Sequence, residues 1–150
     1  MEDKFKRTEY HLYNYKDIDK LNRLDEIKIK QLENDITLSA VQYDKDSISP
    51  TNAFHSNVED EVIKREEHNI KQRIEYLKAG IVKRNLEKEL IDRSLDLFEK
   101  EERRLIEIRY FTPGNIPPSW DSIALTLSIG RTTCIEMRKR IIYKLSDLII

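Results

Sequence analysis

Glycine and proline are nearly missing from this chain. Its 150 residues include three Gly and four Pro, and most of these stand between Pro113 and Pro118. A sandwich or barrel needs turn residues roughly every eight to twelve positions. Long stretches without a breaker, 37% charged and 39% hydrophobic, suit solvated amphipathic helices with a modest core spread along them. The fold class expected is all-α. A length of 150 residues holds one domain, or a small domain with an appended helical arm.

The N-terminal half divides by pattern. From Met1 to Tyr15, Phe5, Tyr10, Tyr13 and Tyr15 sit among Lys6, Arg7 and His11. Interleaved aromatic and basic residues can stack on bases and bind phosphates. The preferred reading is plainer, a frayed terminus whose tyrosines pack on a neighbouring helix. Residues 16–38 have helical period, with Ile18, Leu21, Leu24, Ile27 and Leu32 broadly on one side. Residues 39–57 break that period around Pro50 and read as a linker. Asn57 is a candidate cap for a charged helix over residues 58–85. In that helix Ile70, Ile74, Leu77 and Ile81 form a narrow seam. The seam either packs on the first helix as an antiparallel hairpin, the reading preferred, or meets its counterpart in a homodimer through the N-terminal helices. The chain thus divides into a charged helical arm, 1–85, and a C-terminal domain, 86–150. Residues 86–111 form one long helix or two hinged near Glu99, and Thr112-Pro113-Gly114 ends them.

Ser119 to Leu148 reads as a short helix, a tight turn and a longer helix. Cys134, Met137, Ile141 and Leu145 recur at steps of three, four and four, the inner stripe of that last helix. The stripe leaves Arg131, Thr132, Thr133, Glu136, Lys139 and Arg140 facing outward. Net charge is -1, but from Arg131 to Lys144 the cations face a single acid, Glu136. A hydrogen-bonding, cationic helix face is what entry into a DNA major groove requires. Arg131 could pair with guanine, worth roughly 1–3 kcal/mol of discrimination. Thr132 and Thr133 could touch a thymine methyl or a phosphate, and Glu136 a cytosine amino group. Lys139 and Arg140 suit the phosphate backbone. Ser119, Trp120 and Ser122, where the shorter helix begins, are candidates for phosphate contacts. For Trp120 packing under the preceding loop is an equal alternative, and Cys134 is assigned to the core.

With those residues laid out, the segment from Leu90 to Leu148 resembles region four of housekeeping bacterial sigma factors. The likeness rests on Glu102 to Phe111 with its Arg109-Tyr110 ending, on Trp120 to Leu127 with small Ala124 at a helix crossing, and on the stripe after Gly130. One feature departs from that family, which reads Leu-Gly-Ile-Ser where this chain has Leu127-Ser128-Ile129-Gly130. Either the turn is built differently here, or Ser128 takes the positive φ that glycine accepts more readily, at a cost on the order of 1 kcal/mol. As a whole the chain is similar to phage-encoded late transcription regulators of the ArpU and RinA type.

That resemblance implies a C-terminal helix-turn-helix and a sequence-specific DNA-binding regulator of phage or prophage late genes. Double-stranded DNA is the partner implied, with host RNA polymerase beside it. Two alternatives stand beside it: a polymerase-docking module without DNA specificity, and a small terminase-like DNA-packaging subunit. No enzyme is expected. His11, His55 and His68 lack metal-ligand spacing, and there is no phosphate-cradling Gly loop or nucleophile motif. No cofactor or metal is therefore expected. A lone cysteine, a polar N-terminus and no run of about twenty apolar residues lead us to expect a soluble, intracellular protein, and the resemblance implies the cytoplasm of a bacterial host cell.

Overall fold

The computed structural model describes residues 2–47 and 57–150, which contain six helices and no strand. The protein is all-α. In chain order the helices are α1 (Glu2–Tyr15), α2 (Ile18–Ser47), α3 (Asn57–Leu95), α4 (Lys100–Tyr110), α5 (Trp120–Leu127) and α6 (Arg131–Ile149). No helix among the described residues is long and apolar enough to cross a membrane. Two compact units form: Met1–Asp19 with Asn85–Ile150, and Lys20–Arg84.

This corrects the expected boundary on its N-terminal side, because residues 1–19 join the C-terminal unit. They are not a frayed end. Phe5, Thr8, Leu12 and Tyr15 recur at steps of three, four and three, and Thr8 and Leu12 are fully buried. Thr8 belongs in that stripe because its hydroxyl donates to the Lys4 carbonyl at 2.8 Å, so its polar atom needs no water. Tyr13 and Tyr15 pack on a neighbouring helix as expected, whereas Tyr10 is exposed. Tyr13 meets Tyr110 edge-on with ring centroids 4.7 Å apart, and Tyr15 stacks on Phe111 at 4.1 Å. The expected linker over 39–57 also shrinks. Residues 39–47 continue α2, residues 48–56, with Pro50, lie outside the described ones, and Asn57 is already the first residue of α3.

In the unit Lys20–Arg84, α2 and α3 are tied through Arg84. Its Nε donates to Asn22 at 2.7 Å, and its guanidinium pairs with Asp25. Ile29 and Ile74 are buried, while Ile70, Leu77 and Ile81 are half-buried. The seam is therefore the inner side of α3, as thin as so charged a sequence allows.

The other unit holds the main core. Residues 86–111 are two helices: α3 ends at Leu95, and the chain turns through residues 96–99 into α4. Glu102 accepts from the Glu99 amide at 3.2 Å, which satisfies a donor left open at the new helix start. Ile91, Leu105, Ile106, Tyr110, Ile123, Cys134, Ile141 and Leu145 meet in one cluster with Leu12 of α1. After α4, Gly114 at φ 114 carries the backbone through a bend closed to other residues. Lys16 donates to the carbonyl of that glycine at 2.7 Å.

Between α5 and α6 the backbone takes the conformation that the exchanged turn demands. Ser128 lies at φ 58, ψ 40, in the left-handed region. Its amide donates to Leu125 at 3.1 Å and the Ile129 amide to Ala124 at 3.0 Å, which closes the carbonyl end of α5 in a Schellman pattern. Gly130, at φ -71, opens α6 without a side-chain cap. Ser128→Gly is expected to raise stability by roughly 0.5–1 kcal/mol, the relief of left-handed strain less the entropy that glycine adds to the unfolded chain. A urea midpoint at or below that of the parent would show that Ser128 is not strained there.

Candidate nucleic-acid interface

The region assigned to DNA from the sequence is built on α5 and α6, and most of its residues stand clear of the core. Burial of Cys134, Ile141, Ile142 and Leu145 sets the rotation of α6. That rotation leaves Arg131, Thr132, Thr133, Glu136, Lys139 and Arg140 exposed. Burial of Ile123 and Ala124 does the same for α5, whose first turn presents Ser119 and Ser122. Ser119 caps α5, its hydroxyl oxygen accepting from the Ser122 amide at 3.2 Å. One lone pair is thus committed, while the hydroxyl proton can still be donated.

Two of the six exposed α6 side chains already have acidic neighbours. Arg131 Nε lies 3.2 Å from an Asp121 carboxylate oxygen across the turn, and Arg140 Nε lies 3.8 Å from Glu102. Both arginines are about 70% exposed, so these pairs are weak and exchangeable. They orient the guanidinium groups more than they neutralise them.

Trp120 is placed differently. The Arg109 guanidinium lies over its ring at 4.6 Å and that of Arg138 at 4.8 Å. The ring is thereby partly buried, and of the two readings of Trp120 its surroundings match packing. Arg138, which the sequence assigns to neither face of α6, turns inward. Its Nε and a terminal nitrogen donate to one Glu9 oxygen at 3.0 and 2.6 Å, and the Tyr110 hydroxyl donates to the same oxygen at 2.6 Å. Burial disfavours the Arg138 charge, and the Glu9 carboxylate more than restores it, so its pKa is raised. Burial, then the Glu9 carboxylate, pushes the Tyr110 hydroxyl far above the usual phenol range. Arg109 completes the network, donating to the Pro118 carbonyl at 2.6 Å and to the Tyr13 hydroxyl at 3.1 Å.

These supporting residues, Glu9, Arg109, Tyr110 and Arg138, were not singled out as functional from sequence. The Arg109-Tyr110 ending was visible, and the structure supplies its physical role. Arg109 fixes the loop that delivers Ser119, while Tyr110 joins α4 to Glu9 of α1. Nothing near Glu9 in sequence announces its partners, which lie 101 and 129 positions away.

What results is a rigid display: a short helix, a three-residue turn, and an outer α6 face of one guanidinium, two hydroxyls, one carboxylate and two further cations. Its groups offer donors and acceptors at steps of three and four, the spacing of a helix face addressing a polar surface. No curated protein and no solved structure matches this chain. A family model matches residues 19–147, a span that leaves α1 outside it. By that match the chain belongs to the family described as protein of unknown function (DUF722).

Proposed function

We propose that this protein is a sequence-specific DNA-binding transcription regulator in which α5, the turn at 128–130 and α6 act as a helix-turn-helix. The observation that carries the reading is the rotation of α6. Its buried stripe leaves Arg131, Thr132, Thr133 and Glu136 exposed at the end nearest the turn, where groove-entering helices read bases. Arg131 is the guanine reader, held in the display by Asp121. Lys139 and Arg140, further along α6, contact phosphates, as do Ser119 and Ser122 from the start of α5. Trp120 positions these groups and makes no contact of its own. The likeness to sigma region four and to phage late regulators supports a role at late promoters beside host RNA polymerase.

Selection from a random duplex pool, followed by electrophoretic shift at two salt concentrations, tests this. A single enriched motif is expected. Arg131→Ala should weaken binding to it by about 1–3 kcal/mol and relax specificity at one position. Lys139→Ala should weaken all sequences alike and lower the salt slope by about one. A pool with no enriched motif would falsify the DNA-reading proposal. The acids beside Arg131 and Arg140 favour one second reading, docking of the same face onto polymerase, and capture of purified polymerase without DNA enrichment would establish it.

A further inference from the structure

A second repeat runs along α3 apart from the inner seam. Val62, Arg65, Asn69, Gln72, Tyr76 and Ala79 follow one another at alternating steps of three and four, and every one is exposed. Tyr76 is 78% exposed and Val62 46%. A three-four repeat presents one continuous line on a helix, the geometry of a helix-helix seam. Here it is a mixed line, with apolar ends and a polar centre.

We propose that this line is the contact between two copies of the chain, with the two α3 helices antiparallel about a two-fold axis at Ile70 and Lys71. That register matches every position with a suitable partner. Val62 meets the partner's Ala79, Arg65 lies over the ring of the partner's Tyr76, and Asn69 and the partner's Gln72 exchange amide hydrogen bonds at the centre. Two-fold symmetry repeats each contact, so one helix face complements itself.

The flanking charges commit the face to a second copy and choose the direction. Beside the seam, the antiparallel register sets Glu66 against the partner's Arg73 and His68 against the partner's Glu75. A parallel register would set Glu61 against the partner's Glu66, like against like, and would leave His68 beside the partner's Arg73, which offers it no acceptor. All five of these residues are exposed. The polar pair at the centre serves the same end, since buried polar seam residues fix register and direction. The thin core of this unit supplies the motive: Ile29 and Ile74 are its buried apolar residues among those described, too little for a pair of long helices. The proposal is independent of the DNA reading, since none of these residues lies in α5 or α6.

Disulfide trapping in the full chain tests it, with the parent, whose cysteine is the buried Cys134, as control. In the antiparallel register Val62 and its symmetry copy are about 25 Å apart along the axis, beyond disulfide reach. Val62→Cys alone and Ala79→Cys alone should therefore remain uncrosslinked, and an equimolar mixture of the two should yield a crosslinked dimer. Sedimentation should show Glu66→Arg weakening the dimer roughly tenfold, since two attractive pairs become repulsive, and Glu66→Arg with Arg73→Glu restoring it. A parent that stays monomeric up to its solubility limit overturns the proposal and leaves the face to a different protein. Self-crosslinking of Val62→Cys overturns the antiparallel register.

Discussion

Leu12→Ala in α1 is expected to lower the stability of the unit that holds α4, α5 and α6 by about 3 kcal/mol. Leu12 is fully buried and belongs to the same cluster as Leu105, Ile123 and Ile141, so truncation opens a cavity at the meeting point of four helices. Glu9→Ala, one turn earlier, should cost about as much for another reason. It strands the Arg138 guanidinium, whose side chain is 24% exposed, with no carboxylate to answer its charge, and removes the acceptor of the Tyr110 hydroxyl. Losing one member of a largely buried pair costs about 3–5 kcal/mol, and the residual exposure of Arg138 sets the lower end. Removing residues 1–15 combines both losses and should abolish cooperative unfolding of this unit altogether. The single tryptophan reports on it directly, because Trp120 lies under Arg109 and Arg138. Urea unfolding followed by its fluorescence is the measurement. A Leu12→Ala midpoint indistinguishable from the parent would mean that α1 is not part of this core.

That α1 was missed as part of the core, while α5 and α6 were read closely, has a physical cause. The α6 stripe consists of Cys134, Met137, Ile141 and Leu145, all apolar, so period alone discloses it. In α1 the corresponding positions are Phe5, Thr8, Leu12 and Tyr15, and the stripe disappears once threonine is counted as polar. Thr8 is fully buried all the same, because bonding to Lys4 makes its hydroxyl acceptable inside. Tertiary partners such as Glu9 with Arg138 are invisible to any local pattern. In the displayed face, the exposure of Arg131, Thr132, Thr133 and Glu136 follows from period and was legible. The inward turn of Arg138 was not, since its helical position borders the stripe and its acid comes from the other end of the chain. The left-handed Ser128 was legible only as one of two outcomes, a strained serine or a turn built differently; the Schellman closure of α5 places its backbone in the left-handed region.

Phe98→Ala is expected to cost about 3–5 kcal/mol, whereas Leu97→Ala, one residue before it, should stay within about 0.5 kcal/mol of the parent. The two sit together in the corner between α3 and α4, and both are large and apolar, so sequence cannot rank them. Burial can: Phe98 is 5% exposed and Leu97 62%. The corner is held by the Phe98 amide bonding to Leu95 at 3.1 Å and the Leu97 amide to Ser94 at 3.1 Å. These bonds turn the Phe98 ring into the core and the Leu97 side chain out. From α6, Lys144 lies over the Phe98 ring at 4.6 Å and donates to the Leu97 carbonyl at 3.4 Å. Loss of the ring thus loosens α6 as well as the corner, while loss of the Leu97 side chain leaves its carbonyl and that contact in place. Phe98→Leu should recover most of the loss, because it refills the site with apolar volume but not with a π face. Equal destabilisation by Phe98→Ala and Leu97→Ala would show that the chain turns differently between α3 and α4, and that α6 is anchored elsewhere.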